Sequence, residues 1–299
     1  MRLGLLAGMA ALVLPAAAEA QDIKPLLDLR LRLENVDQHG FDRDANAVTL
    51  RGRAGAEMIA GDWSLLAEGE ATAAPIEDYD SGLNGKTGYP IVADPENIEL
   101  NRLQLQYRGL KKTLMTAGRQ RINIDDQRFV GSSGWRQNEQ TFDAVRLEYG
   151  DAKSLKADLT YSWSVRTIWG FDGRDARQQA IGGNNVFATL SHSTVLGTLS
   201  GFAFLVDQDE AQVQGFKLSS QTYGVRLTGI RKLSPTAKLS YALSYASQSD
   251  YHRNPNDYHA DYWLADVGVE LGAAKLGVGH ERLGGDDGLP LASFQTPLA

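Results

Sequence analysis

Residues Gly118 to Tyr149 read GRQRINIDDQRFVGSSGWRQNEQTFDAVRLEY, and the fold turns on this stretch. It opens on a predicted strand with Arg119 and Arg121 two apart. It then crosses a polar segment that still holds Ile122, Ile124, Phe129, Val130 and Trp135, and returns as a second strand, Asp143 to Tyr149. A freely solvated loop rarely carries so many large apolar side chains beside Arg128 and Arg136. The segment is therefore predicted to fold back onto something, into the lumen of a β-barrel.

The flanking sequence supports that reading. In Pro25 to Val36, Leu27, Leu29, Leu31 and Leu33 fall on one face and Asp28, Arg30, Arg32 and Glu34 on the other, the period of a strand. Ala47 to Met58 sets Val48, Leu50 and Met58 against Thr49, Arg51, Arg53 and Glu57; Trp63 to Ala71 carries Glu68 and Glu70 on its polar face. Ile98 to Arg108, Leu155 to Arg166, Gln221 to Ile230, Ala237 to Ser247, Tyr262 to Leu271 and Lys275 to Arg282 alternate likewise. Links between strands run long, short, long, short, with long ones at 37–46, 72–97, 122–142, 167–184, 207–220 and 248–261. Up-and-down transmembrane barrels sort their loops this way, whereas a soluble sandwich has no reason to. Strands of about 9–11 residues suit a tilted bilayer crossing, and Trp63, Tyr107, Tyr149, Trp163 and Trp263 suit interfacial girdles.

The fold class expected is all-β: an antiparallel up-and-down transmembrane β-barrel. About thirteen strands are counted, whereas bacterial single-chain barrels close with an even number. The chain stops at Pro297-Leu298-Ala299 directly after a loop-like GGDDGLPLASFQ. The expectation is a barrel lacking its C-terminal strands; a miscount within Val186 to Val206, where alternation is weakest, is the alternative.

The first twenty residues are a separate object. Arg2, the apolar run Leu3 to Leu14 and the small-x-small Ala18-Glu19-Ala20 make a secretory signal peptide, with cleavage expected between Ala20 and Gln21. Residues 21–299 form the barrel. The chain has no cysteine, which excludes disulfides and thiolate chemistry. With 37 Asp+Glu against 30 Lys+Arg it offers nothing to nucleic acid.

The acids cluster in long loops: Asp37, Asp42 and Asp44; Glu77, Asp78 and Asp80; Asp125 and Asp126; Asp207, Asp209 and Glu210. The inward strand faces carry Arg30, Arg32, Arg51, Arg53, Arg102, Arg119, Arg121, Arg146, Arg166 and Arg226. An arginine facing hydrocarbon costs about 2–4 kcal/mol, so these are assigned to the lumen. Each arginine either pairs across the wall with an acid or draws in anions; the excess on consecutive strands favours an anion-attracting pore. Guanidinium forks match carboxylates, which makes a carboxylated sugar polymer a natural passenger. Glu77 to Gly82 lacks the full calcium-loop spacing. The five histidines are scattered, and no metal, cofactor or enzymatic centre is expected.

Gly118-Arg119-Gln120, Asp125-Asp126-Gln127-Arg128-Phe129-Val130-Gly131, Trp135-Arg136-Gln137-Asn138 and Gln140-Thr141-Phe142-Asp143-Ala144 resemble the signature of the alginate-export family of outer-membrane barrels. The first strands, LDLRLRLE and LRGRAGAE, are similar to the same family. The resemblance implies a monomeric barrel of about eighteen strands in a Gram-negative outer membrane, surrounded by lipid and lipopolysaccharide. It further implies an electropositive lumen, narrowed by inward-folded loops, that passes an anionic saccharide passively. Arg119, Arg121, Arg128, Arg136 and Arg146 are placed at or near the constriction. Periplasmic secretion components are further candidate partners. The solute is open among alginate, another uronate polymer, an oligosaccharide and a small organic acid, and import is open beside export. A general diffusion porin and a non-transporting adhesive or structural barrel are the alternatives.

Overall fold

The structure is a computed structural model that describes residues 22–151, 154–209, 215–285 and 293–299. The signal peptide, its cleavage site and Glu210 lie outside the described residues.

Thirteen strands form one sheet in which every neighbour in space is a neighbour in sequence and every pairing is antiparallel. They are β1 (Asp22–Val36), β2 (Ala45–Ala60), β3 (Trp63–Asp78), β4 (Asn97–Tyr107), β5 (Thr113–Gln120), β6 (Thr141–Gly150), β7 (Leu155–Arg166), β8 (Ala180–Thr194), β9 (Gly197–Val206), β10 (Ser220–Ser234), β11 (Ala237–Asp250), β12 (His259–Leu271) and β13 (Ala274–Leu283). The fold is thus the expected up-and-down one. The sheet is not closed: β1 and β13 are its edges, and among the described residues no ladder joins them.

Alternation sorts the two faces. Along β2, Thr49, Arg51 and Arg53 are buried while Leu50 is exposed; along β3, Ser64, Glu68, Glu70 and Thr72 are buried while Trp63 and Leu65 are exposed. Leu27, Leu29, Leu31 and Leu33 of β1 are more than 60% exposed. An apolar outer face with a polar inner one inverts the soluble pattern and matches a wall bathed in lipid. No helix among the described residues is long and apolar enough to cross a membrane.

Several strands overrun the expected length. β3 continues to Asp78 instead of yielding to a loop at Thr72, because its ladder with β2 resumes beyond a bulge and pairs Ile76 with Val48 and Asp78 with Asn46. At 15–16 residues, β1 to β3 outrun the 9–11 of a simple crossing; the surplus stands on the long-loop side. The weakly alternating stretch Val186 to Val206 is two strands. In β9, Phe202, Phe204 and Val206 are buried on the inner face while Leu199 is exposed on the outer one, so both faces are apolar and the period fades.

The main hydrophobic cluster sits on the inner face. Ile122, Ile124 and Val130, from the link between β5 and β6, pack with Phe142, Val165, Phe187, Phe202, Phe204, Tyr262 and Phe294. Fully burying each such side chain is worth about 1.5–3 kcal/mol, which explains why this link is not out in solvent.

Candidate functional site

The link 121–140 is folded from two back-turned halves. In the first, Gln127 N–H donates to the Ile124 carbonyl and Ile124 N–H to Val130; in the second, Arg136 N–H donates to Ser133 and Gln140 N–H to Ser132. Asp125, Gln127 and Ser133 hold left-handed backbone at φ of 49°, 63° and 47°, at a cost of about 1–2 kcal/mol each for non-glycine residues. Packing offsets it. Phe129 lies 5.2–5.9 Å, centroid to centroid, from the rings of Phe202, Phe204, Tyr262 and Phe294. Arg128 pairs with Glu281 of β13 at 2.7 Å, and Asp126 with Arg226 of β10 at 2.7 Å.

At its other end the same link reaches the first strands. Arg30 of β1 donates to the backbone carbonyls of Gly134, Trp135 and Arg136 at 3.1, 2.8 and 3.3 Å. Gln137 donates to the carbonyl and hydroxyl of Thr49 in β2, and its N–H donates to the buried Asp94 carboxylate at 3.0 Å. One segment therefore touches strands at both margins of the sheet. That is possible only if the sheet curls around it.

The inner face divides into two provinces. Under β8 to β12 it is aromatic. Under β1 to β7 it is ionic, and most of the arginines assigned to it are already matched. Arg32 pairs with Glu34 and Asp94, Arg51 with Asp28, and Arg53 with Glu70 and, at 3.3 Å, Glu139. Arg102 pairs with Glu68 at 2.7 Å, and Arg121 with Glu68 at 3.3 Å and with Glu139. Arg146 pairs with Asp158 and Glu148, and Arg166 stands 3.9 Å from Glu99. Asn101 donates to both Glu68 and Glu139 at 2.8 Å, tying wall to loop.

Two placements differ from the sequence reading. Arg121 is the first residue of the link and not part of β5, which ends at Gln120. Arg119 faces Leu103 and Asp143 in the ladder, in the row of Ala117 and Val145 whose side chains are exposed, and it makes a two-pronged pair with Asp143 at 2.8 and 3.0 Å. Pairing neutralises a guanidinium that the row's apolar surroundings would otherwise penalise.

Arg30 and Arg136 stand apart. Among the described residues neither has a carboxylate within 4 Å, unlike the other ten arginines singled out from the sequence. Both converge on Trp135, 58% exposed, whose ring lies 3.9 Å from the Arg136 guanidinium and 5.5 Å from that of Arg32. Crowding inside the curl lowers the pKa of Arg136, only partly countered by Asp94, while the Arg32 charge lowers it further. Enclosure by the same wall raises the Asp125 carboxyl, with Arg226 opposing. Sequence reading offered Asp28, Glu34, Glu57, Glu68, Glu70 and Glu148 as acids for the arginines, and all but Glu57 are so used; it missed the aromatic seat for Phe129 and which acid meets which arginine. The signal for the first was Phe202 and Phe204 two apart; the second depends on register, which spacing does not reveal. No group of three or more potential metal ligands occurs among the described residues.

This geometry has solved counterparts. Pseudomonas aeruginosa OccD3 (OpdP) superposes with a TM-score of 0.62 at 14% identity, covering 88% of this chain and 57% of its own. P. aeruginosa OccK2 (OpdF), solved in complex with glucuronate, gives 0.62 at 12%, covering 87% and 64%. The outer membrane protein OpdK from P. aeruginosa gives 0.66 at 13%, covering 89% and 67%. The chain thus spans roughly three fifths to two thirds of these barrels' length. Comparison with curated proteins gives no significant match. The fold is the one these outer-membrane proteins share. The alginate export family model matches residues 27–282, nearly the whole sheet including the inward link, and the chain belongs to that family.

Proposed function

We propose that this chain forms the wall and constriction of an outer-membrane channel that passes anionic saccharides, alginate or another uronate-containing chain, through a lumen whose free positive charge sits at the inward link. The observation that carries the reading is the pair Arg30 and Arg136. Among the arginines singled out from the sequence they are the two left without a carboxylate, and they meet beside an exposed tryptophan. A guanidinium is a rigid fork suited to a carboxylate, and an exposed indole offers a face or edge to a sugar ring. The family's name and the glucuronate held by a barrel of the same fold agree with that solute class.

Reconstituted in planar bilayers, the full chain should prefer anions to cations and be blocked by uronate oligomers. Arg30→Ala with Arg136→Ala should lower the anion-to-cation permeability ratio several-fold. Cation preference in the unmodified channel would sink the proposal. The general diffusion porin keeps one observation on its side, that ten of the twelve arginines singled out from the sequence already face carboxylates of the wall or the link. An unchanged permeability ratio in the double variant would favour it.

A further inference from the structure

Beneath the inward link, on the side of the short turns, lies a cavity of about 520 Å3. That lies within the range of small-ligand sites, about 300–1,000 Å3. Its roof is the underside of the link at Asn123, Ile124 and Asp125, and its walls come from the β4–β5 turn, the end of β6 and the start of β7. We infer that this cavity is a second binding site for a carboxylated saccharide, a loading site at the short-turn mouth, separate from the Arg30–Arg136 pair. The inference rests on the channel reading and adds to it a place and a side of entry.

Four cations, Arg108, Lys112, Arg146 and Lys156, line the cavity beside three carboxylates, Asp125, Glu148 and Asp158, and their partners decide which cations are available. Arg146 is held by Asp158 and Glu148, and Lys112 by Asp151 at 2.7 Å. Arg108 has neutral partners only, donating to the Ser64 hydroxyl at 3.1 Å and to Gln106 Oε1 at 2.6 Å. Lys156 has no carboxylate within 4 Å among the described residues, and its side chain is exposed. β4 and β7 are three strands apart, about 14 Å along the wall at 4.7–4.9 Å per strand. Arg108 and Lys156, neither in contact with a carboxylate among the described residues, thus stand apart along the wall with Glu148 of β6 between them, an arrangement that suits a chain bearing carboxylates at intervals.

The same polarity extends along the whole molecule. All lysines among the described residues except Lys86 and Lys217 lie in the short turns or at the strand ends beside them, interspersed with Asp22, Glu57, Asp62, Asp151 and Glu270, whereas the acidic clusters lie in the long links or at the strand ends beside those. A field of that sense draws a polyanion into the short-turn mouth and repels it from the opposite rim, and salt weakens it.

The experiment is sided block of the full chain in a planar bilayer. Because the chain has no cysteine, Asp42→Cys in the first long link, closed by an impermeant thiol reagent, reports the orientation. A uronate hexamer should block at several-fold lower concentration from the short-turn side than from the other, whereas a neutral hexamer should show no difference. Arg108→Ala with Lys156→Ala should abolish that asymmetry and leave the anion preference set at Arg30 and Arg136 in place. Arg108→Glu with Lys156→Glu should reverse it. Equal block from both sides, or asymmetry that survives both variants while anion preference is intact, overturns the loading site and spares the channel reading. A channel with no anion preference at all overturns both.

Discussion

Glu70 has no exposed side-chain surface, and that of Arg53 is only 7% exposed, yet the two are cross-strand neighbours on β3 and β2 and form an ion pair. Removing both charges from water costs several kcal/mol per ion, recovered only while each keeps its partner. Around them Glu68, Glu139, Arg102, Arg121 and Asn101 extend the network into the inward link. Arg53→Ala should therefore destabilise the protein by about 3–5 kcal/mol, since it strands a buried carboxylate. Arg43→Ala, which removes a guanidinium stacked on Tyr89 in exposed loops, should stay within about 0.5 kcal/mol. Thermal unfolding in detergent micelles separates the two; equal melting temperatures would mean the buried pair contributes little to the wall.

At the scale of the element, the link 121–140 is held by one aromatic peg and a set of polar ties. Phe129→Ala empties the seat among Phe202, Phe204, Tyr262 and Phe294, at a cost of about 3–5 kcal/mol if the cavity does not collapse. The variant should become cleavable within 121–140 by added protease while the sheet survives, and its single-channel current should grow noisier. An uncleaved link would show that the polar ties suffice. That this link turns inward was legible in the sequence, because Ile122, Ile124, Phe129 and Val130 could not be left in water. The alternation of β1 to β4 and of β7 was legible for the same reason, one apolar face against one polar. What docks the link was not, since in β9 the inward Phe202 and Phe204 are interleaved with outward apolar residues and the period vanishes. Which acid neutralises which arginine was hidden too. Whether Arg53 meets Glu70, directly opposite it, or Arg146 meets Asp158, diagonally across from it, depends on the register of the ladder, and the spacing within one strand does not reveal that.

For the whole molecule, the outer face is an apolar belt interrupted at the Arg119–Asp143 pair, and its cost structure follows from lipid. Leu147, near the middle of β6 and flanked by Met115 and Leu159 on the neighbouring strands, points away from the ionic interior and is 39% exposed. Leu147→Arg should lower the free energy of folding into vesicles by about 2–4 kcal/mol if it lies at the bilayer midplane, and less towards a rim. Urea titration of vesicle-inserted protein measures this, and a neutral result would place that row out of contact with hydrocarbon. The inward link has a further consequence at this scale. Because Arg30 grips it at Gly134 to Arg136 and Glu281 holds it at Arg128, with Thr49 and Arg226 as further ties, it acts as a strut fixed to strands at both margins of the sheet. Any change in the girth of the wall is then transmitted to the bore at Trp135, and aperture and circumference share a single mechanical degree of freedom.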